Sequence, residues 1–146
     1  MTTEPRHLRY GYPLSEWVKM VANELPIDAV GMWQIVPGGR HGFGLEGEAL
    51  TDCVRRCIAE LLSRGAVPVV GGGLEGEHEW IAQPQYGSKP DEIIENVVRE
   101  WLANGAKDED PGGLWFARRE RAFEQRAENG GLDVPPFAAG GGAEET

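Results

Sequence analysis

Asp28-Ala-Val-Gly-Met-Trp-Gln-Ile-Val-Pro-Gly-Gly-Arg-His-Gly-Phe-Gly-Leu-Glu-Gly47 runs straight into Glu48-Ala-Leu-Thr-Asp-Cys-Val-Arg-Arg-Cys-Ile-Ala-Glu-Leu-Leu-Ser-Arg-Gly65. The first eight residues after Asp28 are apolar at nearly every position, with Gln34 the one fully polar side chain. This predicts a strand over 29–36, covered on both faces and stopped by Pro37-Gly38-Gly39. From Glu48 the period changes. Leu50, Val54, Ile58 and Leu61 form a stripe widened by Cys53, Cys57 and Leu62, with Arg55, Arg56, Glu60 and Arg64 on the other face. That pattern predicts a helix over 48–64, acidic at its start, basic at its end and stopped by Gly65.

Working outward, Leu14, Trp17, Val18, Val21 and Leu25 recur at helical spacing behind Pro13, predicting a first helix closed by Pro26. Ala66–Val70 reads as a short strand, and Pro68, which cannot donate to a ladder, implies that it lies at a sheet edge or is irregular. The order strand, helix, strand over 29–70 allows a βαβ unit. Residues 77–83 and 114–117 read as two more short strands. Ser88 and Asp91 suggest a capped start for a third helix over 90–104, whose apolar face is Ile93, Ile94, Val97, Val98, Trp101 and Leu102. Charged residues 118–129 suggest a solvated helix. The fold expected is α+β, with three main helices packed on a small sheet of three to four short strands. Residues 1–120 are expected to form one globular domain and 121–146 a mobile, charged, Gly/Pro-rich tail.

Composition narrows the function. The 146 residues carry 24 acids and 14 bases, for a net charge of −10. Residues 1–120 alone hold 19 acids and 12 bases, a net of −7. Such a surface repels nucleic-acid phosphates and anionic membranes and suits docking on a basic protein surface. No stretch reaches the roughly 20 apolar residues of a membrane helix. The start of the chain lacks signal-peptide order, and Cys53 and Cys57 sit at a spacing unsuited to a disulfide within one helix. The cytoplasm is the expected compartment.

Gly42-Phe-Gly-Leu-Glu-Gly47 matches the dinucleotide pattern G-x-G-x-x-G, but its context argues against that use. Five residues separate Val36 from Gly42, Glu46 and Glu48 stand where phosphates would bind, and Val67–Gly73 lacks the acid that would hold a ribose. Cys53, Cys57, His41 and His78 could form a Cys₂His₂ set, yet they lack the C-x₂-C knuckle, and both cysteines border an apolar stripe. Neither a metal nor a cofactor is expected. His78 lies among Glu75, Glu77 and Glu79, but Glu77 and Glu79 would point away from it on a strand, and no nucleophile pairs with it.

With no convergent catalytic set, the leading expectation is a small acidic, non-catalytic inhibitor or immunity-type protein that masks a basic site on a partner protein. Its partner surface is expected to involve Glu75, Glu77, Glu79, Trp80, Asp108, Glu109, Asp110 and Trp115, where tryptophans flank acids. Trp17, Trp33 and Trp101 are expected in the core. Two alternatives stand beside this reading. One is a small-molecule-binding enzyme using Arg40 and His41 in a pocket at the glycine-rich loop 37–47. The other is a subunit of a larger assembly.

Overall fold

The computed structural model describes residues 4–72 and 79–124. The architecture is α+β, with four helices packed on a five-stranded mixed sheet. The helices are α1 (Leu14–Ala22), α2 (Met32–Pro37), α3 (Gly47–Ser63) and α4 (Pro90–Ala103). The strands are β1 (Val30–Gly31), β2 (Ala66–Gly71), β3 (Trp80–Ala82), β4 (Trp115–Arg118) and β5 (Ala122–Phe123). Their order across the sheet is β1-β4-β2-β3-β5, antiparallel at every step except the parallel pair β3–β5.

The three long helices follow from their stripes. In α3, Leu50, Cys53, Val54, Cys57, Ile58 and Leu61 are all buried. In α4, Ile93, Val97, Val98 and Trp101 are buried, and in α1 Leu14, Val18 and Ala22. Each fully buried aliphatic side chain contributes about 1.5–3 kcal/mol relative to exposure. These faces meet Val30, Ala66 and Phe116 from one face of the sheet in a single core. The start of α4 is capped by Glu92 rather than Asp91, its carboxylate accepting the Ser88 and Lys89 amides at 3.0 and 3.4 Å.

The expected strand over 29–36 is mostly helix. Only Val30–Gly31 is extended, and α2 follows at once. Met32, Ile35 and Val36 are buried at i, i+3 and i+4, a short helical stripe that an unbroken apolar run conceals. Gln34 decides the matter: its Oε1 accepts the Gly31 amide at 2.8 Å, half of a capping box. Trp33 therefore points outward and is 36 % exposed, against the expectation of a core residue. The chain then continues through a π-helical turn, Gly38–Gly42, which replaces the expected loop at that point.

Two further expectations change. β1 and β2 run parallel, but β4 lies between them, so the βαβ unit contains no direct parallel pair. β2 is central rather than an edge. Pro68 is tolerated there because its carbonyl accepts the Gln83 amide at 2.9 Å, which places both of its backbone positions on the β3 side, where β3 is ending. No β4 bond is lost. At the C-terminal end, Arg119–Arg121 form a 3₁₀ turn and Ala122–Phe123 join the sheet, in place of a helix beginning at 118. The rest of the expected tail, 125–146, lies outside the described residues.

Candidate functional site

Helix α4 ends by reversing sharply. Gly105 and Ala106 both take left-handed backbone conformations, with φ of 95° and 53°, and the Ala106 amide returns to the Trp101 carbonyl at 2.9 Å. A left-handed alanine costs about 1–2 kcal/mol, so other contacts must hold it. Arg40 is the main one. Its guanidinium donates to the Ala106 carbonyl and to the Asp108 carboxylate, while His41 Nε2 lies 3.1 Å from the other Asp108 oxygen. The glycine-rich segment and the acidic loop, separate in the sequence reading, thus clamp each other.

Beyond the turn, residues 107–114 fold back along α4 and enclose a cleft of about 580 Å³. Its apolar lining includes Met32, Val97, Trp101 and Leu114, and four carboxylates (Glu100, Asp108, Glu109 and Asp110) stand against one base, Lys107. Trp101 Nε1 donates to the Lys107 carbonyl at 2.9 Å and fixes the loop to the helix. The Tyr86 hydroxyl donates to Glu100, and burial, followed by that neighbouring carboxylate, pushes its ionisation well up. Asp110 accepts the Gly112 amide at 2.9 Å in a tight turn. Asp108 is paired with Arg40, whereas Glu100, Glu109 and Asp110 form no ion pair among the described residues.

Glu109 records the strain of this arrangement. Burial raises its pKa, a hydrogen bond from the Leu114 backbone lowers it, and Glu100 and Asp110 raise it further. The folded chain therefore holds a proton on Glu109 to higher pH than the unfolded chain does. Stability falls as pH rises from the ordinary carboxylate value through the raised one, and stays lowered above it. Glu109→Gln keeps an acceptor for Leu114 but removes the charge. It is expected to raise the melting temperature at neutral pH and to leave it unchanged below the carboxylate range, as scanning calorimetry at the two pH values would show.

The remaining expected site residues divide clearly. Glu75 and Glu77 lie outside the described residues, as does His78. Glu79 is exposed and pairs with Arg121 at 3.6 Å. Trp80 is buried on the sheet rather than at a rim. Trp115 is half-buried beside it, their rings 5.0 Å apart, and its Nε1 donates to the Pro111 carbonyl at 2.8 Å. So Asp108, Glu109 and Asp110 meet at the cleft, while Trp80 and Trp115 belong to a different surface. Arg40 also lines a second cleft of about 510 Å³ at the start of α3, where Glu46, Glu48 and Asp52 are met by Arg55. Gly44 and Gly47 have φ of 70° and 59° and serve as turn residues into α3.

Cys53 and Cys57 are free and fully buried. The Cys57 thiol donates to Cys53, which lowers the pKa of Cys53, while that bond and burial push Cys57 well up. Among the described residues no group of three or more His, Cys, Asp or Glu side chains is placed to hold a metal ion, and no helix is long and apolar enough to cross a membrane. Tyr86, Glu100 and Asn104, which no sequence motif singles out, also line the first cleft. Their signal was faint: Glu100 lies on α4 beside the Val97–Trp101 stripe, and Asn104 follows it four positions on, as the residue that caps the helix.

Fold and site together define an α+β domain with an acidic, aromatic-floored cleft. Comparison of the chain with protein-family models, with curated proteins and with solved structures finds no match to any of them.

Proposed function

We propose that this chain is a small acidic, non-catalytic binding protein of the inhibitor or immunity type, acting in the cytoplasm, that masks a basic site on a partner protein. The observation that carries this reading is the cleft between α4 and residues 107–114. Three carboxylates that pair with no base among the described residues stand over an aromatic floor, and one of them, Glu109, is biased toward protonation by burial first and then by Glu100 and Asp110. A lysine or arginine side chain entering there would relieve that repulsion, and its alkyl stem would cover the apolar lining. The same geometry gives the ligand class a pH signature. A bound cation favours ionised Glu109, so affinity for a basic partner rises with pH through the window in which Glu109 ionises.

An arginine-rich peptide measured by fluorescence anisotropy provides the test. Wild type is expected to bind it, with Glu100→Gln and Asp110→Asn each weakening binding about tenfold, the loss of one close charge pair. Glu48→Gln and Asp52→Asn, on the α3 side, are expected to leave the affinity within about twofold, as exposed charges away from the contact do. Equal losses at both places would reduce the effect to net charge and sink the proposal.

A further inference from the structure

The sheet face turned away from the helices has its own small cluster. Ala29, Val69, Trp80 and Ala117 are buried there, with Val67, Trp115 and Ala122 packed around them, and none of these residues belongs to a helix. Three indoles cross this face in a row. Trp33, at the start of α2, lies 6.0 Å from Trp115, and Trp115 lies 5.0 Å from Trp80. The row is closely built at its near end, where a Cβ on Gly31 would come within 2.5 Å of Trp33 Cδ1 and 3.0 Å of Trp115 Cδ2. Trp33 keeps about a third of its surface exposed, and Trp80, 7 % exposed, has an indole N–H with no hydrogen-bond partner among the described residues. A buried donor without an acceptor on a face of aromatic rings points to a ligand that brings carbonyl groups.

We infer that this row is a docking surface for a polyproline-type segment, and that its occupant is the chain's own Leu132-Asp-Val-Pro-Pro-Phe137. A polyproline helix has no internal hydrogen bonds, so its carbonyls are available to an indole N–H, and its fixed proline rings pack between aromatic side chains at little cost in entropy. The position of the segment fits. The chain leaves the sheet from β5, whose Ala122 is in register with Trp80. The eight residues from Glu124 to Gly131 reach at most about 28 Å, and five strands span about 19 Å, so the segment can reach any part of the row. Leu132, Val134, Pro135, Pro136 and Phe137 are also the only large apolar residues after Phe123.

The test uses the full ¹⁵N-labelled chain and the five tryptophan indole N–H resonances. Replacing Pro135, Pro136 and Phe137 together by alanine is expected to move the Trp33, Trp80 and Trp115 signals and to leave Trp17 and Trp101 in place. Adding a synthetic 130–140 peptide to that triple variant is expected to restore the wild-type positions saturably. With Trp33→Ala also introduced, the peptide should bind at least about tenfold more weakly, as for an aromatic anchor. Unchanged indole signals in the triple variant would overturn the inference. So would indole shifts that follow protein concentration along with dimer formation in sedimentation, because the occupant would then be a second copy.

Discussion

Phe116→Ala is expected to lower the unfolding free energy by about 3–5 kcal/mol, the range for truncating a fully buried phenylalanine. Phe116 is 0 % exposed and sits on β4, the strand that joins β1 to β2. It stands opposite Val30 on one side and Pro68 on the other, and it belongs to the core into which α1, α3 and α4 pack. Removing its ring opens a cavity at the point where both sheet neighbours and the helices converge, leaving little chance for local collapse. Since domains of this size are stable by only about 5–15 kcal/mol, the variant should sit near the edge of folding. The midpoint of urea unfolding should fall while the slope stays at its wild-type value, because the surface exposed on unfolding is nearly the same. Phe116→Leu should cost less.

Trp101 carries the second large effect, and it separates packing from site formation. Its side chain is 2 % exposed and lines both clefts, and its Nε1 holds the Lys107 carbonyl. Trp101→Ala should cost about 3–5 kcal/mol. Trp101→Phe keeps most of the ring volume but strands the Lys107 carbonyl, at a cost of about 1 kcal/mol. The phenylalanine variant should therefore stay folded while residues 107–110 lose their anchor to α4. Its affinity for the arginine-rich peptide should fall even though no carboxylate has been touched. A phenylalanine variant that binds as wild type would show that the loop needs no such anchor.

Helices α3 and α4 were legible because their apolar residues repeat at helical spacing over three or more turns, and their ends fall within a residue of the expected ones, whereas α1 stops at Ala22, short of the expected end at Pro26. The short elements were not. Ala29–Val36 could be read as a buried strand because a run of apolar residues has no period to decide between strand and helix. The decisive contact, Gln34 to Gly31, is a side-chain cap that a strand reading has no place for. Trp33 and Trp80 then exchanged roles, since exposure follows from which element carries the indole and not from the acids beside it. The cleft was legible only in part. Asp108–Asp110 stood out as an acidic run, but Tyr86, Glu100 and Trp101 reach it from a different stretch of chain, and Arg40 meets Asp108 across 68 positions. No local pattern encodes that pairing.

The most direct measurement is a titration of the ¹⁵N-labelled full chain with the arginine-rich peptide, followed residue by residue. The Trp101 indole N–H, the Leu114 amide beside Glu109 and the Gly112 amide bound to Asp110 report the cleft from three sides. Shifts concentrated on these three signals, growing as pH rises through the ionisation of Glu109, are the expected result. Shifts centred on the α3 acids Glu48 and Asp52, or spread evenly over the acidic surface, would contradict the assignment of the cleft as the binding site.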